Sequence, residues 1–345
     1  MKKLLNKETI IICLVVIISL FALYSPGFFN SHDGIIHLFR TAGVYENLVN
    51  LDLFSRISYN NINGFGYGWG IFYPPLSAVI PALFMLLGFS LFVAQKLFII
   101  FVSIFAGIFA YKLFYELFKN KDISLITTFL YILAPYKINQ IVIRGSMGEI
   151  LLFTFLPLVF LGMLKILKKE YNYKYYFIFG VVGIIYSHVI SIIYMSIFSL
   201  IFLLLNYKNL FNKKTILEFI KSFCIILLLS LPILLPLAQH QISNIYRISN
   251  ETSTSVADRV IHPSQLIASS IVDSNKQSTP YLSNETEMNY MLGLVFFIIL
   301  LLLPFVYNKI KENKDNIYFN KFVILLIITI LMMTCKIFWD KIFIL

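Results

Sequence analysis

Asp33, His37 and Arg40 lie one helical turn apart within Asn30-Ser31-His32-Asp33-Gly34-Ile35-Ile36-His37-Leu38-Phe39-Arg40. If this segment is a helix, the three share one face, and a carboxylate, an imidazole and a guanidinium line up together. Such a set can take a proton, pass one on and hold an oxyanion. Only 13% of the chain is charged, and the three groups follow directly after its first apolar run. They are therefore expected at a lipid–water boundary, where ionisable groups mark a functional site by default. The bland alternative is that Asn30 or Ser31 caps a helix and Asp33 complements its dipole.

Two further stretches carry chemistry. Pro135-Tyr136 runs on to Arg144-Gly145-Ser146-Met147-Gly148-Glu149 and interrupts two apolar segments. Arg144 suits a phosphate, because its planar fork donates two parallel hydrogen bonds. Gly145 and Gly148 let the backbone approach closely, and Glu149 would face the same chamber as Asp33. Asn63 to Pro75 alternates glycine with Phe65, Tyr67, Trp69, Phe72 and Tyr73. Tyr67, Trp69 and Tyr73 offer flat faces for a sugar ring or an isoprenoid chain, or else form an aromatic belt at the interface. His188, in Tyr186-Ser187-His188, is a lone histidine between apolar runs, and His32 stands beside Asp33. His240, His262, Asp258 and Asp273 match no metal spacing.

The elements that must position these groups are membrane helices. Hydrophobic residues make up 59% of 345, and mean hydropathy is +0.82. Ten apolar segments stand out, at 9–24, 74–92, 95–118, 122–137, 149–167, 174–188, 189–206, 215–238, 290–307 and 320–340. About 20 apolar residues span a bilayer core, so the expected class is all-α, a polytopic transmembrane bundle forming one integral-membrane domain over 1–345. The net charge of +11 sits in short lysine-rich loops, a positive-inside pattern that points to contact with membrane lipids and not to nucleic acid. Cys13, Cys224 and Cys335 are spaced neither for zinc nor for a disulfide. The N-terminus reads as an uncleaved signal anchor with Lys2 and Lys3 in the cytoplasm.

All the lysine clusters fall on one side only if 74–92 does not cross. Pro74, Pro75, Pro81 and Gly88 make a broken or re-entrant helix there plausible, leaving nine crossings. Loop 25–73, the 136–149 junction, His188 and a second long loop at 239–289 then share the external face. Leu48 to Ile57 reads as a short interfacial helix. Heavy use of Ile, Lys and Asn fits an AT-rich bacterial genome, and hence a bacterial cytoplasmic membrane.

Taken together, the acidic residue in the first external loop, Phe72-Tyr73-Pro74-Pro75-Leu76, Pro135-Tyr136 with Arg144-Gly145 and Glu149, and Ser187-His188 resemble the GT-C superfamily over about residues 1–240. Members are integral-membrane glycosyltransferases that use lipid-phosphate-linked sugars. The likeness is greatest to bacterial membrane proteins labelled 6-pyruvoyl-tetrahydropterin synthase-related, although no three-histidine zinc site for pterin chemistry is present. The resemblance implies that Asp33 is the catalytic residue, as general base or as ligand of a divalent metal (Mg or Mn). Typical members carry two neighbouring acidic residues, whereas here Asp33 has His32 and His37 beside it.

The activity implied is transfer of a sugar from a polyprenyl-phosphate-linked donor, on the external face, to an acceptor that the sequence does not identify. Asp33 would take the acceptor's proton with help from His37. Arg40 and Arg144 would stabilise the leaving phosphate, with His32, Glu149 and His188 in support. A transporter or flippase of a lipid-linked sugar, or a non-catalytic membrane scaffold, are the alternatives. A transporter is expected to show repeat symmetry and mid-membrane charges, and neither is visible in the sequence.

Overall fold

The computed structural model describes residues 6–28, 31–53, 55–59, 61, 63–243, 260–261, 263–267, 291–312, 319–337 and 339. The described residues are helical and contain no strand, so the class is all-α. The chain forms two compact units, 1–133 with 140–242, and 134–139 with 243–345.

The first unit begins with α1 (Lys7–Ser19), whose N-cap Asn6 accepts from the Thr9 amide at 2.8 Å. After a 3-10 turn comes α2 (Gly34–Val49), then α3 (Leu76–Leu86), α4 (Leu91–Phe118) and α5 (Lys121–Ile132). Lys119 adopts φ +52 and ends α4, and the Asn120 side chain caps α5 through the Ile123 amide. In the second unit α6 (Pro135–Asn139) is a single short helix, and the chain returns to the first unit as a π turn over Gln140–Arg144. Next come α7 (Met147–Leu167), α8 (Lys174–Ile185), α9 (Val189–Leu205), α10 (Tyr207–Leu210) and α11 (Lys213–Ser243). The second unit adds α12 (Leu294–Glu312) and α13 (Phe319–Thr334).

Small residues set the tightest seam. A Cβ on Gly162 of α7 would lie 2.1 Å from the Phe177 amide of α8, and one on Gly180 would lie 2.7 Å from the Val159 amide. Only glycine lets these two backbones come so close, a packing mode typical of helices in lipid. Polarity is distributed to match. Thr41, Ser77, Gln95, Ser103 and Ser124 are fully buried, while Ile18, Phe223 and Leu228 are about two-thirds exposed. Apolar residues outside and polar ones inside suit a bilayer better than water.

Three helices are long and apolar enough to cross a membrane, Leu91–Phe118, Met147–Leu167 and Lys213–Ser243, or four if Lys121–Ile132 and Pro135–Arg144 count as one bent span. This corrects the expected nine crossings for the described residues. The apolar runs are helical, but several are cut short: α3 has 11 residues, α8 has 12 and α9 has 17. At about 1.5 Å per residue α3 reaches only ~16 Å. The chain turns at Gly88 (φ +95), and α3 packs on α4.

Two other expectations change. The described residues of 50–57 form no helix: α2 ends at Val49, and Leu51 is left-handed at φ +60. The helical part of the 25–73 loop is α2 itself, with Ile35, Ile36 and Phe39 exposed and His37, Thr41 and Asn47 buried. The 239–289 loop begins later than expected, because α11 continues to Ser243. Most of that stretch, with Asp258, His262 and Asp273, lies outside the described residues.

Charge segregates along the first unit. Glu116 receives Lys119, Lys165 and Lys168 at 2.6–2.8 Å, Glu218 receives Lys174 and Lys221, and Glu8 receives Lys121. These networks join one end of α1, α4, α5, α7, α8 and α11. The opposite end of α7, about 24 Å away along the helix, starts at the candidate site.

Candidate functional site

The site is built where the 31–33 turn meets the π turn. The His32 amide donates to the Ile143 carbonyl at 3.1 Å, and the Asp33 amide to the Arg144 carbonyl at 2.7 Å. Those carbonyls end a helical segment and lack intrahelical partners, so the incoming turn satisfies them. Gly145 makes the junction possible. Its φ is +69, and a Cβ there would meet Ser31 Oγ at 2.4 Å and the Gly34 amide at 2.9 Å. Wide π turns of this kind occur frequently at functional sites.

Asp33 is the N-cap residue of α2, yet its side chain makes no capping bond. Its Oδ2 instead accepts from Arg144 Nε at 3.2 Å, and both side chains are about 40% exposed. The carboxylate thus pairs with Arg144 in place of a capping bond, and at the N-terminus of α2 it also complements the helix dipole.

One turn along, His37 points inward and is 2% exposed. Its ring meets the edge of Tyr73 at 5.5 Å, and Nδ1 is buried with no hydrogen-bond partner among the described residues. Burial, reinforced by the Arg40 and His188 charges, pushes the imidazole down to about 3. A group with that value is neutral at pH 7 and a poor proton acceptor, so the expected help to Asp33 as a base does not fit its surroundings. A neutral imidazole can still donate one N–H.

Tyr73 is the hub of the cluster. The Arg40 guanidinium lies 4.1 Å above its ring centre and 5.4 Å from that of Trp69. His188 meets its edge at 6.1 Å, and its hydroxyl contacts the Gly148 backbone at the start of α7. Burial pushes the phenol up to about 12, so it stays protonated. Glu149 and Asp33 act on the same phenol electrostatically. Arg40 carries no ion pair among the described residues, and its Nε is buried without a hydrogen-bond partner there.

His188 N-caps α9 positionally, and its Nδ1 bonds Ser191 Oγ at 2.8 Å. Burial and the nearby Arg144 charge lower its basicity, and Asp33 opposes them. Asp33, His37, Arg40, Tyr73, Arg144, Glu149 and His188 thus form one neighbourhood, with Trp69 beside Arg40. His32 is exposed and joins it only through its backbone. Tyr67 stands apart, because its backbone pairs with Ser58 in an isolated bridge.

Among the described residues no three His, Cys, Asp or Glu side chains gather as a metal site. Asp33 pairs with Arg144 and His188 Nδ1 with Ser191, while His37 Nδ1 has no hydrogen-bond partner among the described residues.

In the same unit an apolar cleft of about 550 Å³ opens between α3, α4, α7, α8 and α11, lined among others by Leu76, Phe101, Phe109, Phe155, Phe179 and Tyr186 and by none of the cluster's side chains. From Phe101 to Phe109 it follows α4 for ~12 Å. Sequence reasoning had no signal for this cleft, since its wall residues look like any other core. It named Ser31 only as a helix cap, whereas the buried Ser31 hydroxyl lies beside Gly145.

No protein-family model and no curated protein matches this chain.

Proposed function

We propose that this protein is a membrane-embedded glycosyltransferase of the GT-C type, acting on a sugar carried by a polyprenyl phosphate. The observation that carries the reading is Arg40. Its guanidinium is held on the Tyr73 ring without a carboxylate partner among the described residues, and Leu76, three residues after Tyr73, begins the wall of the apolar cleft. A half-buried cation of this kind suits an anion, and an apolar cleft in the same unit suits a chain attached to that anion. The Asp33–Arg144 pair supplies the second half of the chemistry.

In this reading the phosphate rests on Arg40 and displaces part of the exposed Arg144–Asp33 contact. Arg144 then faces the leaving phosphate, and Asp33 accepts the proton of the acceptor hydroxyl as the sugar–phosphate bond breaks. His37 and Tyr73 hold Arg40 and the water-poor floor of the site. Asp33 is also the residue that would hold a divalent metal (Mg or Mn), which would supply further charge stabilisation to the leaving phosphate. The lysine networks at the far end of the bundle support an orientation with that end in the cytoplasm and the site outside, in a bacterial cytoplasmic membrane.

Binding of a short prenyl phosphate tests this, with the matching prenyl alcohol as control. Saturable binding of the phosphate, weakened in Arg40→Gln, is expected. Equal binding of alcohol and phosphate would remove the anion site and leave only a lipid-binding scaffold.

A further inference from the structure

The first unit contains a second cleft, of about 280 Å³, whose wall includes Asn47, Asp52, Ser55, Arg56, Trp69 and Tyr186. Pro75 lines this cleft and Leu76 the apolar one, and Tyr186 borders both. The start of α3 therefore stands between the apolar cleft and this one, whose wall adds charged and polar groups to a mostly apolar lining. We infer that this second cleft is a subsite for a neutral sugar ring; this deepens the reading proposed above and rests on it.

The charges in this wall are the first reason. Asp52 and Arg56 line the same small space yet form no ion pair with each other. Arg56 instead donates to the Gly70 carbonyl at 3.2 Å and to the Pro232 carbonyl. A guanidinium has five N–H donors, so donors remain after those two contacts. Asp52 is exposed and makes no ion pair among the described residues. A separated acceptor and donor suit the paired hydroxyls of a sugar.

The second reason is that the wall is built and not incidental. The Trp69 indole N–H donates to Ser58 Oγ at 2.8 Å, and the Asn47 amide to the Ile57 carbonyl at 2.9 Å. Gly70 lies so close that a Cβ would sit 2.9 Å from the Arg56 carbonyl oxygen. An aromatic ring is thereby fixed beside hydrogen-bonding groups of both kinds, the apolar-plus-polar lining that orients a ligand.

The third reason is selectivity. Asp52 and Arg56 leave this wall without net charge, which suits a neutral ring, and the phosphate is assigned to Arg40. Arg40 lies 5.4 Å from the Trp69 ring, which places the sugar cleft next to the phosphate position. A sugar here would come either from the donor or from the acceptor.

Trp69 provides the readout, because the only other tryptophan is Trp339. The full chain bearing Trp339→Phe is titrated with methyl hexosides and methyl N-acetylhexosaminides, and Trp69 emission is followed. A saturable change is expected with at least one glycoside, and Asp52→Ala weakens it by about 10-fold or more. Competition by a short-chain prenyl-phosphoryl hexose assigns the cleft to the donor sugar. Additive binding of the two assigns it to the acceptor, and either outcome supports a sugar site. Unchanged emission across the panel, or an equal response in Asp52→Ala, overturns the inference. Glycoside binding in a protein that releases no prenyl phosphate would sink the transferase reading while the cleft stands.

Discussion

Asp33 and Arg144 are joined twice. The Asp33 amide donates to the Arg144 carbonyl at 2.7 Å, and Arg144 Nε donates back to the Asp33 carboxylate at 3.2 Å. The backbone bond fixes the distance, and the exposed side-chain pair is left adjustable. Position and chemistry are thus separable in this protein.

That separation makes Asp33→Asn a clean variant. The backbone link survives, and an ion pair about 40% exposed contributes only about 0–1 kcal/mol to stability. Thermal unfolding of the purified protein should shift little. Transfer should fall by about 10²- to 10⁴-fold, the usual worth of a positioned general base.

Arg40 depends on the face of Tyr73. Tyr73→Phe keeps a ring under the guanidinium and should keep affinity for a prenyl phosphate near wild type. Tyr73→Leu removes the ring and should weaken binding by about 2- to 30-fold, the equivalent of 0.5–2 kcal/mol. Equal loss in both variants would assign the effect to the hydroxyl and its contact with Gly148.

His37 fixes a sign for pH dependence. Its basicity drops from the ordinary 6.5 to about 3 on folding. Between those values the unfolded chain binds more protons, so stability falls as pH drops below 6.5 and the contribution is intact above it. The imidazole ¹³C resonance should not titrate between pH 5 and 8, and a midpoint near 6.5 would contradict the buried placement.

Gly145→Ala should damage the site from its backbone. The left-handed φ and the Ser31 and Gly34 contacts together should cost at least about 1 kcal/mol. Gly64→Ala, also at positive φ but with open space around it, is the control for strain alone. Transfer activity should suffer in the first and survive in the second.

Much of this was legible in the sequence, for identifiable reasons. The spacing of Asp33, His37 and Arg40 carried the first turn of the site, because a helix converts spacing into a shared face. Pro75, Pro81 and Gly88 announced the short α3. The alternating Gly–aromatic run could not say which ring matters, since that depends on the Ser58–Tyr67 bridge that turns Trp69 and Tyr73 inward. Likewise Asp52 and Arg56 were missed, because the space between them exists only after Gly70 closes on Arg56. Among the described residues fewer helices reach spanning length than the hydropathy implies, because hydropathy does not register the breaks at Gly88 and at Tyr186–His188 that shorten α3, α8 and α9.

The measurement that bears most directly on the central claim is release of free polyprenyl phosphate from lipid-linked sugars, read by mass spectrometry. Wild type, Asp33→Asn and Arg40→Gln would be compared in vesicles with a supplied acceptor pool, with and without a chelator. Release by wild type alone is the expected result, and its loss with the chelator would add a divalent metal at Asp33. Equal release by Asp33→Asn, or none from a folded wild type that still binds prenyl phosphate, would contradict the assignment of sugar transfer to this cluster.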